Sequence, residues 1–207
     1  MLSHLFSSAK GRDDKLFTAG PAFAGHPKPT IELACPEVGP SGSQLPVDNS
    51  ADGAGLFPGL SWPAGSDEIK QFLLISEDPD APLPDPIIHG IYYGIAPSVT
   101  GVNWEDLELA DQSDEPYFLK GGFKYGKNRG GNVYIPPQPM RGHGPHRYFF
   151  ELIALSRLID VAALSAVPTS VEIQGAIDGD VVGWGEWWVC MSATGRPPAT
   201  SARWRLA

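Results

Sequence analysis

The chain has 207 residues, enough for one domain with a sizeable core, and 42% of them are hydrophobic. A formal charge of −9 sets long-range repulsion against nonspecific adhesion to nucleic acid or anionic membrane, and no apolar run reaches the length of a signal peptide or a membrane span. The 24 glycines and 21 prolines are interleaved with valine, isoleucine and aromatic runs, which argues against disorder and predicts a mainly β fold of short strands and tight turns.

In chain order, residues 1–20 read as a short helix or a loose arm, and residues 28–33 as a first strand. Residues 35–49, rich in glycine, proline and serine, read as loop. Apolar residues return from Gly55 to Trp62, and residues 69–76 form a buried strand. A second strand covers residues 87–95, with Tyr92 and Tyr93 between Gly90 and Gly94. From 97 to 145 no periodic element appears, and a segment of that kind is usually functional or mobile. Within it, glycine pairs at 121–122 and 130–131 bracket the basic residues Lys124, Lys127 and Arg129, with Lys120 just ahead. Residues 148–156 are the strongest strand. Residues 170–179 predict a short helix, with Thr169 or Ser170 as N-cap and Glu172 in its first turn. Residues 184–191 form a last strand and 196–207 a tail. No internal repeat or linker divides the chain, so residues 1–207 are one domain. Two cysteines, Cys35 and Cys190, make no disulfide framework, and reduced thiols in a cytoplasmic protein are expected.

Two turn-locked polar clusters carry the chemistry. In Asp78-Pro79-Asp80-Ala81-Pro82 the prolines restrict the backbone and remove two amide donors, and the Ala81–Pro82 bond is a candidate cis peptide. Either one carboxylate points into a pocket, or both aspartates bond to backbone amides in a structural turn. His89, behind Ile87 and Ile88, is either a satisfied core histidine or a pocket residue. The second cluster holds His143, His146, Arg147 and Tyr148. An extended backbone there sends His146 and Tyr148 to one face and Arg147 to the other, where Asp80 is its candidate partner. The donors Asp78, His89, His143 and His146 match no metalloenzyme spacing, so no metal or cofactor is expected. No nucleophile elbow, phosphate loop or dinucleotide fingerprint is present. The basic glycine-rich patch is either a phosphate contact or a solvated loop.

The paired strings Asp78-Pro79-Asp80-Ala81-Pro82 and Gly144-Pro145-His146-Arg147-Tyr148, the latter behind a proline-rich run ending at Pro139, resemble the phosphatidylethanolamine-binding (PEBP, or Raf kinase inhibitor protein) family, most closely its fungal branch. The resemblance covers roughly residues 55–192. It implies a PEBP-like antiparallel β-sandwich with short peripheral helices and a small anion-binding pocket. Carried over residue by residue, Asp78, His89, His146 and Tyr148 line that pocket, Pro82 shapes it, Pro139 and Met140 stand at its rim, and Asp80 and Arg147 support it from behind. The sequence departs from the pattern at Met140, where a second proline is usual, and at Asp180, where bacterial relatives carry histidine. The implied function is binding of a small anionic or zwitterionic ligand, phosphorylated or carboxylated. A second is a secondary-metabolite enzyme in which Asp78, His89 and His146 act as acid and base on a polyketide-derived acid or anhydride, by isomerisation, cyclisation or dimerisation. A third is inhibition of a kinase or protease by protein–protein contact.

Overall fold

A computed structural model describes residues 10–110 and 117–193. Its centre is a six-stranded sheet in the order β1-β8-β7-β3-β4-β6. These strands are β1 (Ser43–Gln44), β3 (Gln71–Asp78), β4 (Ile87–Ile95), β6 (Lys124–Tyr125), β7 (His146–Leu155) and β8 (Val181–Met191). Every pairing in it is antiparallel except β1 with β8. A second, two-stranded sheet pairs β2 (Leu60–Ser61) with β5 (Gly101–Val102).

Both faces of the large sheet are covered, which is why all eight residues of β3 are buried and its apolar run Phe72–Ile75 shows no polar alternation. Side chains of a strand alternate between faces. Phe72 and Leu74 therefore join Tyr92, Phe150, Leu152, Trp187 and Val189 in a core shared with Trp62 and Phe57. Leu73 and Ile75 join Ile91, Ile153 and Trp184 in a second core on the opposite face. That second core is closed by α1 (Ser170–Ala176), through Ile173 and Ile177, and by the 3-10 turns Phe17–Ala19 and Pro21–Phe23. Thr169 caps α1 in a full capping box with Glu172.

Several expectations are corrected. Residues 28–33 form no strand, because Pro27 and Pro29 offer no amide donors. Instead the Thr30 and Ile31 amides both donate to the Trp184 carbonyl, and the segment lies so close over β8 that a Cβ at Gly185 would stand 2.3 Å from the Ile31 carbonyl oxygen. The loop 35–49 contains β1 and a 3-10 turn, Val47–Asn49. β7 starts two residues earlier than expected, at His146, and β8 starts at Val181. No cis peptide occurs among the described residues, so the Ala81–Pro82 bond is trans. The tail 196–207 and the first nine residues of the arm lie outside the described residues. Among the described residues, no helix is long and apolar enough to cross a membrane.

Candidate functional site

The sheet brings three of its strand ends to one place. Asp78 ends β3, His146 begins β7, and His89 lies near the start of β4. His89 faces the site because β4 is bulged there. Ser76 pairs with Gly90 and Glu77 with Ile88, which leaves His89 as the extra residue. A bulge re-aims a side chain that regular alternation would send elsewhere. The loop beyond β6 then closes over it. The Ile135 amide and the Asn128 side chain both donate to the His89 carbonyl, at 2.9 and 3.0 Å.

These residues line a cavity of about 490 Å³. Its walls are largely apolar: Ala51, Ala81, Pro82, Leu83, Ile87, Ile135, Pro136 and Met140. The polar lining is Asp78, His89, His146 and Tyr148, with Arg129 and Gln138 added. Of the sequence candidates, Asp78, Pro82, His89, Met140, His146 and Tyr148 are thus together. Pro139 is buried and is not among the lining residues, whereas its neighbour Gln138 is. Arg129 was legible only as part of a basic patch. Asn128, 3% exposed, pins that patch through bonds to the Gly130 and Asn132 amides and the Asn132 carbonyl, and so places Arg129 at the cavity.

The polar floor is a chain of short contacts. Asp78 Oδ1 accepts the amides of Asp80 (2.8 Å) and Ala81 (3.1 Å), and Asp78 Oδ2 meets His146 Nδ1 at 2.8 Å. The far nitrogen of His146, Nε2, meets His143 Nδ1 at 2.8 Å. Both imidazoles are buried. With Asp78 ionised, His146 donates from Nδ1 and accepts at Nε2 from His143, an Asp–His–His relay. His89 is separate. Its Nδ1 lies 2.6 Å from the Ile135 carbonyl, so Nδ1 carries the proton and donates. Burial lowers the His89 pKa, against the Ile135 bond and the nearby Asp78 charge, so the ring is neutral and Nε2 keeps its lone pair. Among the described residues lining the cavity, that Nε2 is the buried side-chain polar atom without a protein partner. The His89 ring stands edge-on to Tyr148, centroids 5.2 Å apart, and His146 stacks on Tyr148 at 6.4 Å. Burial pushes the Tyr148 phenol far above its ordinary range, so it stays protonated. Among the described residues no three His, Cys, Asp or Glu side chains are arranged to hold a metal ion.

Behind the floor, Asp80 takes four hydrogen bonds: from the Arg147 amide (2.9 Å), Arg147 Nε (2.8 Å), Arg147 Nη2 (2.8 Å) and the Gly11 amide (2.9 Å). Arg147 forks onward to Asp13 at 2.7 and 2.8 Å. The Asp78–Pro82 turn and the strand bearing His146 are therefore tied together through Asp80 and Arg147.

Fold and site together define a β-sheet protein whose strand ends carry a small cavity with an aspartate–histidine floor. The phosphatidylethanolamine-binding protein family model matches residues 36–191, and the chain belongs to that family. It is 46% identical over 186 residues to phomoidride biosynthesis cluster protein B of a fungal species, covering 90% of this chain and 89% of that protein. It is 45% identical to the protein of the same name from Talaromyces stipitatus, covering 90% of this chain and 77% of that one. Among solved structures, a phosphatidylethanolamine-binding protein homologue from Chlamydia trachomatis superposes with a TM-score of 0.65 at 26% identity, covering 81% of this chain and all of that one.

Proposed function

We propose that the cavity binds a small carboxylic acid, or the corresponding anhydride, with an apolar body, and that Asp78, His89 and His146 transfer protons to and from it. The observation that carries this reading is the His89 Nε2 atom: neutral, buried and without a protein partner in a mostly apolar cavity. A buried acceptor left unpaired costs about 1–3 kcal/mol, and a ligand that donates to it recovers that cost. A carboxylic acid supplies the proton, and the imidazolium–carboxylate pair so formed is favoured by the adjacent Asp78 charge. The anhydride has no such proton; it is the form on which the same base set would act. The Asp78–His146–His143 relay is a second proton-handling set at the same cavity, separate from His89.

A phosphate dianion is less well matched. Among the described residues, Arg129 is the one lining side chain with a permanent positive charge, and Asp78 opposes a second negative charge. The fungal relatives, by their names, are proteins of the phomoidride biosynthesis cluster, which supports a place for this site in biosynthetic chemistry.

The test is ligand-induced thermal stabilisation with phosphoethanolamine, glycerophosphate, dicarboxylates and apolar carboxylic acids, on wild type, His89→Asn and His146→Ala. Stabilisation by apolar acids that both variants lose is the expected result. Deuterium uptake from D2O at the carbon next to the carboxyl, followed by NMR, then reports proton transfer. Stabilisation by phosphates alone would overturn the carboxylic-acid reading in favour of headgroup binding.

A further inference from the structure

The opposite side of the site holds a feature the cavity chemistry does not use. Glu77 and Glu151 are 1% and 0% exposed and share one face of the sheet. Leu73, Ile75 and Glu77 of β3 lie on that face beside Ile153 and Glu151 of β7. The two carboxyls are diagonal neighbours across the β3–β7 pair, each perturbing the other, and Glu151 Oε2 has no protein partner, so one proton held by the pair is the arrangement that relieves two buried like charges. Their hydrogen-bond partners come from the N-terminal segment. The Phe17 amide donates to Glu77 Oε1 at 2.6 Å, and the Thr18 hydroxyl donates to Glu151 Oε1.

The same segment reaches both turns of the candidate site. Lys10 Nζ donates to the Pro145 carbonyl at 2.8 Å, in the loop that carries His143 and His146. The Gly11 and Arg12 amides donate to Asp80 and to the Pro79 carbonyl, and Arg12 Nη1 to the Ala81 carbonyl at 2.8 Å. Asp13 holds Arg147. Gly11 has φ +73°, a left-handed conformation that lets the chain turn across Arg147. Residues 10–18 are thus a strap fastened at one end to the frame of the polar floor and at the other to a buried pair of carboxyls.

We propose that residues 10–18 act as a proton-latched clamp that positions the polar floor, docked while the Glu77–Glu151 pair holds its proton and released when that proton is lost. The proposal rests on reading the cavity as a ligand site, but its test uses no ligand.

The charged neighbours support this sense. Glu186, opposite Glu151 on β8, adds a third carboxyl to the same face, and burial raises its pKa too. Lys15 of the strap is paired with Asp85 at the surface, and Arg147 with Asp80 and Asp13. From α1 the pair's surroundings receive Gln174, which is neutral and bonds the Phe17 carbonyl. Lys15 and Arg147 therefore already have carboxylate partners of their own, while Lys10 and Arg12 bond backbone carbonyls of the two turns. Burial, foremost, raises the pKa of both Glu77 and Glu151. An exposed glutamate ionises near pH ~4.3. Release of the strap admits water and returns the carboxyls to that range, so between pH ~4.3 and the docked pair's own pKa release is coupled to proton loss. Docking then weakens by up to about tenfold per pH unit, and levels off above that pKa.

The experiment is hydrogen exchange on the full chain from pH 5 to 8, expressed as protection factors that remove the intrinsic pH dependence of exchange. Wild type is run beside Glu151→Gln, with Glu77→Gln as the second variant should the first not fold. The amides of Gly11, Arg12 and Phe17 are expected to lose protection about tenfold or more in wild type and to stay level in the glutamine variant. The His146 Nδ1 proton, bonded to Asp78, should lose protection over the same range. Wild-type protection constant within about twofold would overturn the latch, as would a glutamine variant that follows wild type. Strap amides that titrate while the His146 proton does not respond would overturn the positioning role. These thresholds follow from the tenfold-per-unit coupling.

Discussion

Asp80→Asn tests the link between the two site-forming turns. Asp80 is 4% exposed, and its two oxygens accept from the Gly11 amide and from three donors of Arg147. Asparagine keeps the shape but offers one oxygen, and its amide nitrogen must face two of those donors. Breaking a buried ion pair by neutralising one partner costs about 3–5 kcal/mol. The Arg147 side chain is 27% exposed and keeps Asp13, so part of the loss is screened. The expected destabilisation is ~2–4 kcal/mol. At about 2–4 °C per kcal/mol for a chain of this size, the midpoint of thermal unfolding falls by ~5–15 °C. Burial opposes ionisation of Asp80, but the Arg147 side chain, its amide, its charge and the Gly11 amide outweigh it and hold the carboxyl below its ordinary range. A carboxyl with a depressed folded pKa stabilises above its unfolded pKa of ~3.9 and loses that contribution as pH falls through the folded value. Urea unfolding at several pH values is the assay. The gap between wild type and variant should be full at pH 7 and narrow below pH ~4. A gap under ~1 kcal/mol at pH 7, or one unchanged at the lowest pH where both still fold, would refute the assignment.

Two further outcomes follow from burial. Burial pushes the Cys35 thiol up to about 11, and Cys35 is 1% exposed, whereas Cys190 is partly exposed and neither forms a disulfide. Alkylation of native protein at pH 8 should therefore modify Cys190 and spare Cys35 until urea is added, and peptide mapping that finds Cys35 modified first would contradict the packing around it. Because burial lowers its pKa, His89 should stay neutral and protonated on Nδ1 at pH 6.5. Nitrogen-15 NMR of the imidazoles checks this, and a His89 midpoint at or above that value would remove the basis for treating Nε2 as an acceptor.

Much of the site was legible because its residues sit in turns whose chemistry is local. The prolines at 79 and 82 and the glycine at 144 mark where strands end, and a strand's alternation already separates His146 and Tyr148 from Arg147. Four features were not legible. The bulge that turns His89 is a mismatch of register between β3 and β4, a property of two strands rather than one. His143 meets His146 through the fold of a glycine–proline loop with no periodic signal. Arg129 reaches the cavity because Asn128 is buried against the carbonyl of His89, far away in sequence. Glu77 and Glu151 each look like a polar residue on the exposed side of a strand, and only the N-terminal segment lying over them makes that side an interior.

The sequence by itself determined where this chain is extended, where it turns, and which polar residues those turns hold rigidly, because dihedral restriction and side-chain alternation act over a few residues. The tertiary structure decided which of those residues meet. The contact between Asp78 and His146, and the clamp of residues 10–18 across both turns, depend on strand order and on which face each loop covers. Those are set by the burial of two cores on opposite faces of one sheet, a balance over the whole chain that no local pattern records.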